Sequence, residues 1–493
     1  MHTAHGGDTR PVGPDGPPSA DAASLEFTPG QMLTMGRSVL ERSVAHLASI
    51  DSQPSCGDVD AAELCRSLRE PAPETEAALE PLLDQLFNEL IPRSFTTPGP
   101  GYLAYIPGGG VYPAALADFI ADTTNRYTGV WTAAPALVQL EANVLEWLRD
   151  WMGFPAGTAG LLTTGGSGAT FNAVLCARER HLGTDIRSGT VYASDQGHHS
   201  ISKAAKLAGI AADRVRTIAT DADFRMDVAA LAAEIARDRA QGLRPFLVVS
   251  SAGTTNTGAV DPLDDIADLC AREQLWHHID GAYGAFFHMC PELRPLLRGL
   301  SRGDSLTLDP HKGMFLPYGT GALLVRDGNA LRQVHAATAG YLPENQDEFY
   351  DPAQYGPELS RGFPGLRVWL SVKLYGAARY RAAISEKRSL ALWAAWHIAL
   401  IPGIVMDAAP QLSLFAFHLE GAALITQDKR NAATEELVRR VTARGRVMLT
   451  GCTVDGRYLA RVCVLSFRTR MAEMEACVRH LAEETETILA SAS

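Results

Sequence analysis

The chain has 493 residues, 46% apolar and 20% charged, the composition of an ordinary globular protein with roughly two to four structural units. Its 44 Lys and Arg against 56 Asp and Glu leave a net charge of −12, which argues against a nucleic-acid binder that must neutralise phosphates. Its 8 cysteines are scattered without a CxxC pair, which argues against a disulfide scaffold and implies reduced, mostly buried thiols.

Residues 1–25, rich in Gly, Pro and Asp, predict a disordered tail with no apolar core of the signal-peptide kind. Residues 26–110 form an N-terminal helical segment. Met32, Leu33, Met35, Val39 and Leu40 recur at near-helical spacing between Thr28 and Ala48, and a second such stretch runs from Pro73 to Leu90. Neither closes a core alone, so both are expected to pack on the main domain or on a second subunit. Residues 111–376 read as a large domain. Short apolar runs fall at Gly160–Thr163, Thr190–Ala193, Phe246–Ser250, Leu275–Asp280, Ser305–Leu308 and Ala322–Arg326. Helical stretches separate most of them, at Gly168–His181, Ser200–Ala208, Asp227–Arg239 and Pro262–Glu273. Strands alternating with helices predict an α/β fold, a mostly parallel sheet covered on both faces.

Residues 377–493 read as a smaller α+β C-terminal domain, with strands at Leu412–Leu419 and Leu459–Phe467 and helices at Ala432–Arg444 and Met471–Ala490. The longest apolar run, Leu390–Met406, is broken by His397 and by Pro402-Gly403, so no membrane span is expected and a cytoplasmic location follows.

In parallel sheets ligands sit at the carboxyl ends of the strands. Four strand-end segments stand out on that rule. After Leu161-Leu162 comes Thr163-Thr164-Gly165-Gly166-Ser167-Gly168, a Gly/Ser turn opening a helix. Free N–H groups and the positive helix dipole suit a phosphate there, although Ser167 is equally a helix cap. After Val191-Tyr192 comes a His198-His199 pair; neither it nor His277-His278 has Asp, Glu or Cys at ligand spacing, so no metal site is expected. Asp280 closes the run Leu275–Asp280, with Gly281 and Ala282 leaving room for something flat. A carboxylate in such a place needs a cation or a good donor. Finally, Pro310-His311-Lys312-Gly313 follows Leu306-Thr307-Leu308, where desolvation would favour the neutral, nucleophilic amine of Lys312. A phosphate cradle, an acid, a stacking ring and a Schiff-base lysine together fit pyridoxal 5'-phosphate.

The segments GYLAYIP (101–107), TGGSGAT (164–170), YASDQGHHS (192–200), SSAGTTNTGAVD (250–261), HIDGAYGA (278–285), DPHKG (309–313) and ELSRGFPGLRVW (358–369) resemble the group II pyridoxal-phosphate decarboxylases, relatives of aromatic-L-amino-acid and glutamate decarboxylase. The resemblance covers about residues 95–490 and implies the type I aspartate-aminotransferase fold, with homodimers whose active sites lie at the interface. The N-terminal helical segment would then belong to that interface. On this resemblance Lys312 is the cofactor's lysine, and His311 and Ser305 also approach the cofactor. Asp280 keeps the pyridine nitrogen protonated, His198 stacks on one ring face and Ala282 lies against the other. Thr254 approaches the ring hydroxyl, and Gly166 and Ser167 hold phosphate. Tyr105 and Trp131 fall where an amino acid substrate is contacted. Tyr341 matches a mobile-loop tyrosine that returns a proton to Cα, within a lid over Ala336–Tyr350.

Departures from the pattern bear on the substrate more than the cofactor. Asp309 stands where aromatic decarboxylases carry Asn, and its charge would repel a phosphate unless it turned away. Gly108-Gly109-Gly110 replaces bulkier residues, implying a wider cavity. Retention of His198 and the loop tyrosine points to simple decarboxylation of an aromatic or large amino acid. Processing of an S-substituted cysteine or another amino acid, by oxidative deamination or β-elimination, stays open.

Overall fold

A computed structural model of the chain describes residues 25–57, 61–336 and 348–492. Of the predicted tail, residues 1–24 lie outside the described residues, as do residues 337–347 of the predicted lid, with Tyr341.

The large sheet has seven strands: β1 (Ala159–Thr163), β2 (Gly189–Ser194), β3 (Val215–Ile218), β4 (Arg244–Ser251), β5 (Trp276–Asp280), β6 (Ser305–Leu308) and β7 (Gly321–Val325). Their order is β1-β7-β6-β5-β4-β2-β3. All run parallel except β7, which is antiparallel to both neighbours, β1 and β6. Only the four-residue helix Pro310–Gly313 lies between β6 and β7, so the chain returns beside β6 without a full crossover.

Side chains alternate across the sheet, and the apolar runs fill both faces. Leu162, Ile279, Leu306 and Leu324 pack on one side with Phe286 and Phe287. Leu161, Val191, Val249, Leu323 and Val325 pack on the other against Ala173 and Val174 of the helix Gly166–Leu182. Each such side chain, fully buried, contributes roughly 1.5–3 kcal/mol. This continuity is why six of the seven strands are visible in the sequence. The exception is the edge strand β3, where Arg216 and Thr217 separate only two apolar residues.

The second sheet is antiparallel, ordered β10-β11-β9-β8, with β8 (Ile404–Ala408), β9 (Leu414–Leu419), β10 (Thr450–Val454) and β11 (Arg457–Cys463). The helix Gln427–Ala443 connects β9 to β10 and the helix Met471–Ala492 follows β11, and Leu437, Val441, Met474 and Leu481 share the sheet's core. Strands β8 and β10 escaped the apolar-run criterion because β10 reads Thr-Gly-Cys-Thr-Val. The hairpin signal was present, however: Asp455-Gly456 both adopt positive φ, 49° and 75°, as a two-residue hairpin turn requires. The helix Pro364–Ala399 is interrupted at Gly376, where φ 74° and ψ 149° suit only glycine.

The described residues among Met1–Ser49 and Ala62–Pro92 form a separate unit. Within it Arg42 of the helix Pro29–Ser49 bonds Glu80 at 2.8 Å and Asp84 at 2.7 Å. That helix has no buried residue, and Leu33, Leu40 and Val44 are exposed along it. Among the described residues no helix is long and apolar enough to cross a membrane.

Candidate active site

A cavity of about 280 Å³ opens at the carboxyl ends of β1, β2, β4, β5 and β6. Thr164–Gly168 follow β1, His198 and Ser200 follow β2, and Gly253–Thr255 follow β4. Asp280 and Ala282 come from the end of β5; Asp309, His311 and Lys312 come from the turn after β6. Eight predicted residues thus line one cavity: Gly166, Ser167, His198, Thr254, Asp280, Ala282, His311 and Lys312.

Backbone packing shapes the cradle after β1. Gly321 opens β7 directly against Gly165: a Cβ on Gly321 would lie 2.5 Å from Gly165 Cα. A Cβ on Gly166 would meet Asp309 Oδ2 at 3.1 Å and Ala282 Cβ at 3.2 Å. Both positions demand the smallest residue. After β4, Gly253 has φ 105°, and a Cβ there would strike the Tyr283 ring at 2.7 Å.

The polar side chains are held by partners that leave one edge toward the cavity. The Ser200 amide donates to His198 Nδ1 at 3.2 Å, so that nitrogen carries a lone pair and Nε2 the proton. Burial lowers the His198 pKa, which keeps the ring neutral. Thr254 Oγ1 accepts from the Ala259 amide at 3.1 Å and pairs with Thr257 Oγ1 at 2.9 Å. Asp280 Oδ1 accepts from the Ala282 amide at 3.1 Å. Asp309 does not turn away from the cavity, as its charge alone suggested it would need to. Its Oδ2 pairs with Lys312 Nζ at 2.8 Å, three residues along one helical turn.

Ser305 requires a correction. It opens β6 rather than closing it, and a four-residue strand sets it roughly 10 Å from the cavity end. Its hydroxyl accepts from Trp276 Nε1 at 2.8 Å and pairs with His278 Nδ1 at 2.8 Å, deep in the core. Neither Tyr105 nor Trp131 lines the cavity. Tyr105 is 52% exposed with φ 51°, and Trp131 stacks on Phe349 at 4.4 Å.

Arg461 was missed. Buried in β11, its guanidinium donates to the carbonyls of Asn256 at 2.9 Å and Tyr105 at 3.4 Å, to that of Thr255, and to Thr450 Oγ1 at 3.2 Å. It thereby ties the small sheet to the loop that carries Thr254. A lone charge inside the apolar run Leu459–Leu465 was the available signal.

These residues fit pyridoxal phosphate. The cradle that a Cβ would fill and the 17-residue helix opening at Gly166 mark space for a polar group. A neutral ring, a carboxylate and an amine face the remainder.

The family described as "pyridoxal-dependent decarboxylase conserved domain" matches residues 62–419. An aromatic-L-amino-acid decarboxylase of Bacillus atrophaeus is 33% identical over 454 residues, 92% of this chain and 95% of that protein. Tryptophan decarboxylase TDC2 of Camptotheca acuminata is 30% identical over 458 residues, 90% of this chain and 92% of that one. Among solved structures, an Oryza sativa TDC with PLP and tryptamine superposes with a TM-score of 0.89 at 26% identity. That superposition covers 94% of this chain and 100% of the other.

Proposed function

Because the chain belongs to the pyridoxal-dependent decarboxylase family, we propose that it removes the α-carboxylate of an aromatic L-amino acid to give the amine. The observation that carries this is the convergence of His198, Asp280 and Lys312 on one cavity whose glycine cradle opens a long helix. The aromatic side chain is supported by the relatives: one acts on aromatic L-amino acids and another on tryptophan, by their names.

Pyridoxal phosphate, when bound, supplies an electron sink for the pair left at Cα as carbon dioxide departs. Gly166 and Ser167 would hold its phosphate with backbone N–H groups at the helix start. Asp280 would keep its pyridine nitrogen protonated, and Thr254 would face its ring hydroxyl. His198 would cover one ring face and Ala282 the other. Neutral and donating from Nε2, His198 orients the substrate without adding charge beside it. Lys312, whose amine faces the cavity, would hold the cofactor covalently. Tyr341 would return a proton to Cα.

The large domain of residues 111–376 carries this chemistry in our reading, with residues 377–493 as the small domain, and two copies associate. The unburied helix Pro29–Ser49, with Leu33, Leu40 and Val44 outward, supports a role for the N-terminal segment in that association.

The test is release of labelled carbon dioxide from carboxyl-labelled tryptophan, tyrosine and DOPA, with S-alkyl cysteines alongside and product analysis for amine or aldehyde. Release from the aromatic substrates with amine as product is expected. No release from cofactor-loaded protein would overturn the reading.

A further inference from the structure

Asp309 stands immediately before the helical turn that carries Lys312 and is 1% exposed. Its Oδ2 lies 2.8 Å from Lys312 Nζ and 3.6 Å from His311 Nε2, while its Oδ1 is buried without a partner. His311 cannot satisfy it as a neutral ring. Its Nδ1 donates to the Thr320 carbonyl at 2.7 Å, which leaves a lone pair on Nε2, and burial holds the ring below its ordinary pKa. From the helix Gly166–Leu182 comes no compensating charge, since its first turn holds only Gly, Ser, Ala and Thr. The other charged or titratable groups around this corner include His198, Asp280, Tyr318, Cys463 and Arg367, whose guanidinium is spent on Asp118 and Thr320. Among the described residues, Lys312 is therefore the single cation in contact with Asp309.

Cofactor capture makes two demands here. The Lys312 ammonium must become a neutral amine before it can attack a carbonyl carbon. A phosphate at the adjoining helix start must not face a second negative charge across a buried gap, where like charges repel strongly. One proton transfer meets both.

We propose that Asp309 is the base for cofactor capture, taking a proton from the Lys312 ammonium and keeping it as a neutral carboxyl that donates to the cofactor's phosphate. An N–H bond of Lys312 breaks as an O–H bond of Asp309 forms, and no proton leaves the protein. The freed amine then attacks the aldehyde carbon. Its two remaining hydrogens depart with the aldehyde oxygen as water, leaving a carbon–nitrogen double bond. Oδ2, 3.1 Å from where a Cβ on Gly166 would lie, is the oxygen that borders the cradle. This deepens the proposed function and rests on Lys312 being the cofactor's lysine.

The experiment mixes cofactor-free protein with pyridoxal 5'-phosphate and follows capture by the absorbance of the bound cofactor between pH 7 and 9. Borohydride reduction and peptide mass spectrometry locate the attachment. The wild-type rate should change less than about threefold over this range, because the proton moves within the site. Asp309→Asn should capture at least about tenfold more slowly at pH 7 and gain rate steadily as pH rises, because the proton must then leave to solvent. Asp309→Glu should restore the flat profile at a lower absolute rate. In the wild type alone, the infrared difference between loaded and cofactor-free protein should show a new protonated-carboxyl band.

A flat, wild-type-like profile in Asp309→Asn would overturn the proposal, and so would the absence of that band. Attachment at a residue other than Lys312 would instead overturn the functional reading beneath it.

Discussion

Strands β5 and β6 carry similar residues to opposite ends of the sheet and put them to opposite uses. At the carboxyl end, Asp280, His311 and Lys312 border an open cavity, with polar atoms left for a ligand. At the amino end, His277, His278 and Ser305 are fully enclosed. There the hydrogen bonds run among protein groups, with only His277 Nδ1 of the three residues' side-chain atoms buried without a partner. Ser305 accepts from Trp276 and pairs with His278 Nδ1, and His278 Nε2 pairs with Thr307 Oγ1 at 3.1 Å. His277 Nε2 pairs with Ser250 Oγ at 2.7 Å. Burial pushes the His277 pKa down to about 3 and that of His278 to about 4, so both are neutral structural groups. Residue type alone does not separate a working histidine from a packing one; what separates them here is that His198 and His311 border the cavity whereas His277 and His278 are enclosed by protein.

Substitutions at the two ends should therefore fail in different ways. Lys312→Ala should abolish turnover per folded molecule, a loss of on the order of 10³-fold or more by labelled carbon dioxide release, although calorimetry should also show a lower melting temperature because buried Asp309 loses its cation. Wild-type turnover in that variant would erase the distinction. Asp280→Asn should retain bound cofactor by absorbance yet lose about 10²-fold or more in turnover, because the ring nitrogen loses its anionic partner.

His278→Asn should do the reverse. Leaving Ser305 and Thr307 with broken partners should cost about 1–3 kcal/mol of stability by denaturant titration, while turnover per folded molecule falls far less than for Asp280→Asn. The pH dependence sharpens this. Above pH 6.5 the His278 ring is neutral folded or unfolded; as pH falls from 6.5 toward about 4, the unfolded chain binds a proton the buried ring refuses. Wild-type stability from this group is present above 6.5 and lost on acidification, so the stability gap to His278→Asn should narrow across that window. A gap that widened would show that the ring is charged when folded.

Asp227 belongs to neither end. Its carboxylate caps the helix Val228–Ala240 through the amides of Ala229 and Ala230. Asp227→Ala should cost about 1 kcal/mol and leave turnover unchanged, which calibrates the stability assay against a local effect.

Much of the fold was legible in the sequence because strands buried on both faces must be apolar throughout, as Phe246–Ser250 and Ala322–Val325 are. Half-exposed β3 and polar β10 carry no such run, and only turn chemistry betrays the latter. The cavity was legible because chemistry-bearing residues follow strand ends. Ser305 misled because it shares a strand with the site residues but lies at the far end of it, a distinction that a motif match does not carry. The Asp309–Lys312 pair was hidden for another reason. Charge alone suggested repulsion from a ligand, whereas one helical turn between the two residues offered attraction within the protein.

Arg461 has a mechanical consequence. Its guanidinium grips three carbonyls of the Tyr105 and Thr255–Asn256 segments from a strand of the other sheet, so the small sheet cannot swing away without dragging the Thr254 loop along. The two sheets are bolted at the mouth of the cavity. Any parting of the two sheets would first have to break these hydrogen bonds, so Arg461 opposes that motion.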